Sequence, residues 1–230
     1  MIKHLAIIMD GNRRWAKKNA LSYSIGYREG GTAAIRKSLE FALKNGIKFL
    51  SLYTFSLENF KRPEEEKDFI FESLMVEGPK QLPYLQEHNI RMCFIGDRTK
   101  FPERVIPTIT TLEESTKNNS ALQLNILFCY GAQQELVSAV KEIVRKVKIG
   151  ELSEDAISES TIADNLWTRG IPDPELIIRT SGAQRLSNFL LFQAAYSEIF
   201  FIKCLWPEIT ERDLQAALDS YLGVQRNFGV

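Results

Sequence analysis

The chain has 230 residues, 44% of them hydrophobic, and its 29 basic and 29 acidic side chains balance to a formal net charge of +0. That is enough apolar material for a sizeable core, and the charge balance argues against a broad nucleic-acid surface. Two histidines, and three cysteines (Cys93, Cys129 and Cys204) far apart in apolar surroundings, do not suit a histidine triad, a zinc site or a disulfide frame.

From His4 the chain enters an apolar run too short for a helix, which reads as a buried strand and stops at Asp10. Gly11 and Asn12 supply turn residues, and a helical stretch follows from near Arg13 or Arg14. Residues 27–45 read as a helix with Ile35, Leu39, Ala42 and Leu43 inside and Gly46 as its stop. A second strand, 47–55, runs into the polar cluster 56–63. Residues 64–88 form a long helical region, acidic at its start and broken near Gly78, Pro79 and Pro83. A third strand covers 90–95, and a helix with Pro107 as a blemish covers 102–118. Leu122, Leu124, Ile126 and Phe128 mark a fourth strand that ends at Tyr130-Gly131. The helix 133–148 carries Leu136, Val140, Ile143, Val144 and Val147 on one side, and a short helix with Leu166 and Trp167 follows a polar loop. The fifth strand ends in Arg179. Residues 184–188 then open an apolar helical run to Ala195, the sixth strand spans 199–202, and a capped helix closes the chain over 210–221.

Alternating strands and helices predict one α/β domain, residues 1–230, around a six-stranded, mostly parallel sheet. No segment is apolar enough to span a bilayer and no signal peptide is visible, so the expected location is the cytoplasm.

In such folds ligands gather where strands end. Asp10, Asn12, Arg13 and Arg14 fall there, as do Ser56, Glu58, Asn59 and Arg62, then Arg179, Arg185 and Ser187, and lastly Glu198. Many arginines with few carboxylates suggest an anion carrying more than one phosphate, and a carboxylate among them can hold Mg²⁺. The bland alternative makes Asp-Gly-Asn a helix cap with Asp10 or Asn12 as the capping side chain. The phosphate loops G-x-x-x-x-G-K-[ST] and G-x-G-x-x-G are absent.

The stretches HLAIIMDGNRRWAKK, SLYTFSLENFKRP and IIRTSGAQRLSNFLLFQAAYSEIFF resemble, in the same order, the signatures of the cis-prenyltransferase family, and the similarity runs essentially from His4 to the RNFG tail. The resemblance implies a homodimeric, Mg²⁺-dependent enzyme that condenses isopentenyl diphosphate repeatedly onto an allylic diphosphate, with farnesyl diphosphate as the starter. The implied product is a long cis-polyprenyl diphosphate, undecaprenyl diphosphate for cell-wall sugars, grown in an apolar tunnel and delivered to a membrane at which the protein is peripheral. It assigns Asp10 as the catalytic, metal-holding aspartate and Glu198 as a second metal ligand. Gly11, Asn12, Arg13 and Arg14 match the allylic-diphosphate loop and Trp15 a neighbouring substrate contact, with Tyr23 and Tyr27 as further contacts. Asn59 matches a residue that assists proton removal, among Ser56, Leu57, Glu58, Phe60 and Arg62. Arg179, Arg185, Leu186 and Ser187 match the isopentenyl diphosphate grip.

The chain departs from the family pattern at Tyr23, Tyr27, Leu57, Ala183 and Gln184, and Arg13 stands where many bacterial members have Gly. The competing readings are a catalytically weak subunit with a scaffold role, and an unrelated Mg²⁺-dependent phosphohydrolase.

Overall fold

The computed structural model describes residues 2–22, 24, 28 and 31–223. Strands β1 (His4–Ile8), β2 (Phe49–Ser56), β3 (Ile90–Ile95), β4 (Leu122–Tyr130), β5 (Leu176–Arg179) and β6 (Glu198–Phe201) form one sheet in the order β3-β4-β2-β1-β5-β6. Every neighbouring pair is parallel, so the sheet is wholly parallel. Helices cover both faces, which is why the strands read as near-continuous apolar runs. In β1, Leu5 and Ile7 join one core cluster and Ala6 and Ile8 the other, as a pleat with both sides buried requires.

Among the described residues the helices are α1 (Asn12–Lys18), α2 (Gly31–Lys44), α3 (Glu64–Glu77), α4 (Leu82–Glu87), α5 (Ile106–Thr116), α6 (Ala132–Lys148), α7 (Glu159–Ala163) and α8 (Glu211–Leu222). The region read as one broken helix is divided at Gly78 and Pro79, whereas Pro83 sits in the first turn of α4, where a missing N–H costs nothing. Pro107 likewise lies in the first turn of α5.

Two expectations fail. The apolar run after Asn188 is a series of turns, because Ser187, Asn188 and Leu190 adopt positive φ of 52°, 64° and 44°, which no α-helix accommodates. On α6 the buried residues are Ala132, Glu135, Ala139 and Ile143, while Val137, Val140 and Val144 are about half exposed. The valines at helical spacing therefore form an outward stripe.

The chain moves from β1 outward to β2, β3 and β4 on one side, then crosses to β5 and β6 on the other. That reversal places a crevice at the carboxyl ends of β2, β1 and β5.

Candidate active site

Asp10 follows β1 directly. Its backbone N–H donates to Thr180 Oγ1 at 3.0 Å, and its carbonyl accepts from Thr180 Oγ1 at 2.6 Å and from Trp206 N–H at 3.0 Å. The next residue, Gly11, has φ of 112°, and a Cβ there would lie 2.9 Å from Leu205 Cδ2, so the turn requires glycine. Gly11 caps α1 with no side-chain hydrogen bond. Neither Asp10 nor Asn12 therefore serves as the capping side chain, and the Asp10 carboxylate is left for the cleft.

That carboxylate meets Arg179 Nη2 at 2.7 Å and Arg14 Nη2 at 3.5 Å. Burial draws its pKa upward, but the Arg179 hydrogen bond and the charges of Arg179 and Arg14 outweigh it and hold the group below the usual aspartate value. Arg179 pairs with Ile8 in the sheet register and is only 3% exposed. Its Nη1 donates to the Arg185 carbonyl at 2.5 Å and to Ser187 Oγ at 2.8 Å. It thus fastens the loop after β5 to Asp10. Exposed Arg185 has no ion-pair partner among the described residues.

After β2 the chain tightens into a 3₁₀ turn, Leu57–Lys61, where Asn59 Oδ1 accepts the Ser56 N–H at 3.2 Å. Leu57 and Phe60 pack on the core beside Phe55, which fixes the turn and leaves Ser56, Asn59 and Arg62 facing the cleft.

The cleft has a volume of about 830 Å³. It brings together Asp10, Gly11, Asn12, Arg13, Arg14, Ser56, Asn59, Arg62, Arg179, Arg185 and Ser187, so among described residues five arginines face one carboxylate. In an electroneutral chain this is a concentrated positive field. Arg13 also pairs with Glu66 of α3 at 3.1 Å.

Trp15, Leu57, Glu58, Phe60 and Leu186 do not line the cleft. Glu58 accepts from Asn188 Nδ2 at 2.8 Å instead, and Leu186 packs in the core cluster that holds Tyr53. Tyr23 and Tyr27 lie outside the described residues, as does Arg226 of the tail. Glu198, expected as a second metal ligand, stands apart from the cleft in this chain. It begins β6 and pairs with Leu176, at the amino end of the sheet. Three residues separate it from the level of Arg179, about 10 Å along the strand. One chain does not bring it to a metal held by Asp10.

Sequence reasoning also missed several groups. Tyr53 and Ser181 line the cleft, and the Tyr53 ring stacks on Phe189 at 4.8 Å and meets Tyr130 edge-on at 6.0 Å. Behind Tyr130 lies Glu135, only 1% exposed, which accepts from Tyr130 Oη at 2.5 Å, Gln193 Nε2 at 2.9 Å and the Thr168 N–H at 3.1 Å. Burial pushes its carboxyl pKa up despite these bonds. As an acidic residue in the first turn of a helix it carried only the signal of ordinary dipole chemistry.

Beneath the cleft is an apolar cavity of about 190 Å³ between the sheet, α2 and α3. Met9, Asn12 and Thr54 line both spaces and so lie where the cationic cleft meets the apolar cavity. Asn12 Oδ1 is buried there without a hydrogen-bond partner among the described residues.

No cluster of three or more metal-ligating side chains occurs among the described residues. The donor set nevertheless fits magnesium, which binds through one or two carboxylates together with substrate phosphates. Asp10 is such a carboxylate, half-buried beside the guanidiniums of Arg179 and Arg14.

The chain is similar to known proteins in sequence and in fold. The family model described as "Putative undecaprenyl diphosphate synthase" matches residues 8–229. A curated isoprenyl transferase from Clostridium perfringens is 42% identical over 229 residues, covering 100% of this chain and 90% of that one. The isoprenyl transferase of Thermotoga maritima is 40% identical, covering 99% of this chain and 96% of that one. Among solved structures, lavandulyl diphosphate synthase from Lavandula x intermedia in complex with dimethylallyl diphosphate superposes with a TM-score of 0.92 at 35% identity, covering 100% and 98% of the two chains. A "probable undecaprenyl diphosphate synthase" from Campylobacter jejuni gives 0.82 at 35% identity, covering 100% and 99%.

Proposed function

The chain belongs to the undecaprenyl diphosphate synthase family of prenyltransferases, and on that premise we propose that it is a magnesium-dependent cis-prenyltransferase that condenses isopentenyl diphosphate onto an allylic diphosphate. The observation that supports this reading is the junction at Met9, Asn12 and Thr54, where a cleft of five arginines opens onto an apolar cavity. A ligand with a diphosphate head and a hydrocarbon tail matches both spaces at once. Burial of its tail contributes about 0.8 kcal/mol per CH₂.

In this reading Arg13 and Arg14 receive the allylic diphosphate beside Asp10, and Arg185 with Ser187 receives isopentenyl diphosphate, their loop braced by Arg179. Ionisation of the allylic C–O bond leaves charge on the diphosphate, which these guanidiniums stabilise as it develops. Magnesium held through Asp10 supplies further positive charge to those oxygens when bound. The alkene of isopentenyl diphosphate then forms the new carbon–carbon bond, and a proton leaves the adjacent carbon. The Asn59 amide is a weak base whose oxygen already accepts the Ser56 N–H, so Asn59 serves as an orienting group. The proton passes to a diphosphate oxygen or a relayed water.

Farnesyl diphosphate is the proposed starter and undecaprenyl diphosphate the proposed product, delivered to a membrane from the cytoplasmic side. No helix among the described residues is long and apolar enough to cross one. We propose a homodimer, supported by the outward stripe Val137, Val140 and Val144. A metal-binding role for Glu198 then requires it to come from the second protomer. A second reading, a short-chain synthase, is favoured by the small cavity and by the fit to lavandulyl diphosphate synthase. The purified chain, given labelled isopentenyl diphosphate, farnesyl or dimethylallyl diphosphate and Mg²⁺, separates the readings by product size. No elongation by the chain alone overturns both and leaves the scaffold role.

A further inference from the structure

The cavity is small for the tail it is proposed to hold. A dry protein cavity of about 150 Å³ takes one benzene, or about 25 Å³ per carbon. At that density 190 Å³ holds about seven or eight carbons, fewer than two five-carbon units. A longer tail therefore has to push a wall of the cavity aside.

The walls differ in how firmly they are held. The sheet side consists of paired parallel strands, and Leu85, Leu112 and Leu124 of the lining are all at most 1% exposed. Among the described residues, the rest of the lining includes the seam between α2 and the α3–α4 turn. On its other flank α2 is tied to the C-terminal region of the chain, with Lys37 Nζ on the Ile209 carbonyl at 3.1 Å and Lys44 on Glu211 at 2.6 Å. Across the seam it reaches α4 through Arg36. Arg36 Nη2 donates to Gln81 Oε1 at 3.3 Å, and its guanidinium lies 3.5 Å from the centroid of the Tyr84 ring. Tyr84 stacks in turn on His88 at 4.0 Å. Arg36 and Gln81 both line the cavity, so the tie sits in the wall that must open. The α3–α4 turn is its natural hinge, because α3 stops at Gly78 before Pro79.

We propose that Arg36, Gln81 and Tyr84 form a latch across this seam that sets how long a hydrocarbon tail the cavity accepts, making them determinants of chain-length specificity. This rests on the reading of the cleft and cavity as a head site and a tail site. A tail up to the cavity's capacity leaves the latch shut. A longer one has to break the Arg36–Gln81 hydrogen bond and lift the guanidinium from the Tyr84 ring, a contact that strengthens as it is desolvated.

The test is calorimetric binding of n-alkyl diphosphates of four to twenty carbons, with Mg²⁺, to the full chain and to the Arg36→Met and Gln81→Leu variants. In the parent chain affinity is expected to rise about fourfold per added carbon and to flatten near eight carbons. In each variant the break is expected at least five carbons later. Thermal melts confirm folding, and either folded variant suffices. The same break in parent and variants, or no break in the parent, overturns the latch while leaving the head and tail sites standing. No binding of any alkyl diphosphate overturns the underlying site reading, and the latch with it.

Discussion

Arg179 at the end of β5 donates to Asp10 Oδ2 at 2.7 Å, just beyond the end of β1, and its other terminal nitrogen reaches the Arg185 carbonyl and Ser187 Oγ. One buried guanidinium thus joins the cleft's only described carboxylate to the loop that carries the exposed Arg185. The parallel register of Ile8 with Arg179 makes this possible. Any change that slides β5 against β1 separates the two halves of the site.

Removing the carboxylate isolates its chemistry from its structural role. Asp10→Ala is expected to lower turnover by about 10²–10³-fold, the scale of a lost electrostatic group at a reacting centre. The stability cost is expected to stay within about 1–3 kcal/mol, because Arg179 keeps two other acceptors. Steady-state kinetics and urea melts measure both. Near-normal turnover in a folded variant contradicts the assignment of Asp10.

Arg185 offers a complementary case. It is exposed and has no ion-pair partner among the described residues, so its loss disturbs little of the fold. Arg185→Ala is expected to raise the KM for isopentenyl diphosphate by about 10–100-fold, the value of a charge-assisted hydrogen bond, with the melting temperature unchanged. An unaltered KM puts that substrate elsewhere.

Strand ends and turn residues made much of this site legible. The third strand matches β3 residue for residue, and Asp10 followed by glycine already marked the crevice in the sequence. The misses have physical causes. Glu198 precedes the apolar run 199–202, and in a parallel sheet that puts it at the start of β6, away from Asp10 of the same chain. Val140 and Val144 have the same helical spacing whether a stripe faces in or out, and the small Ala139 turned out to face the core. The run after Asn188 is apolar enough for a helix, but its left-handed residues and the commitment of Gln193 to Glu135 hold it in turns. A buried acid such as Glu135 has no sequence signature, because its partners come from positions 130, 168 and 193.

At the amino end of the central strand β1 His4 is buried, held between the Pro172 carbonyl at 2.6 Å and Ser51 Oγ at 2.7 Å. Burial lowers its pKa to about 4. The unfolded chain, near 6.5, binds this proton first, so stability is full above pH 6.5 and is lost as pH falls toward 4. This one group is expected to remove about 2 kcal/mol between pH 8 and pH 5. Urea melts at the two pH values measure it, and His4→Leu should flatten that region of the profile. The same slope in both proteins contradicts this account.

The valine stripe on α6 predicts an assembly. Val140→Glu places a charge at its centre and is expected to shift a dimeric parent to monomer in sedimentation, while the isolated fold survives because that side chain is already 52% exposed. A dimer unchanged by this substitution removes the stripe from the interface.

Mass spectrometry of the products from isopentenyl diphosphate and an allylic diphosphate tests most directly the claim that the cleft and cavity jointly hold one amphiphilic diphosphate and extend its tail. With Mg²⁺, products longer than the starter by whole five-carbon units are expected, with one diphosphate released for each unit and none of this after chelation. Release of phosphate with the carbon skeletons of both substrates unchanged would contradict the account and identify a hydrolase instead.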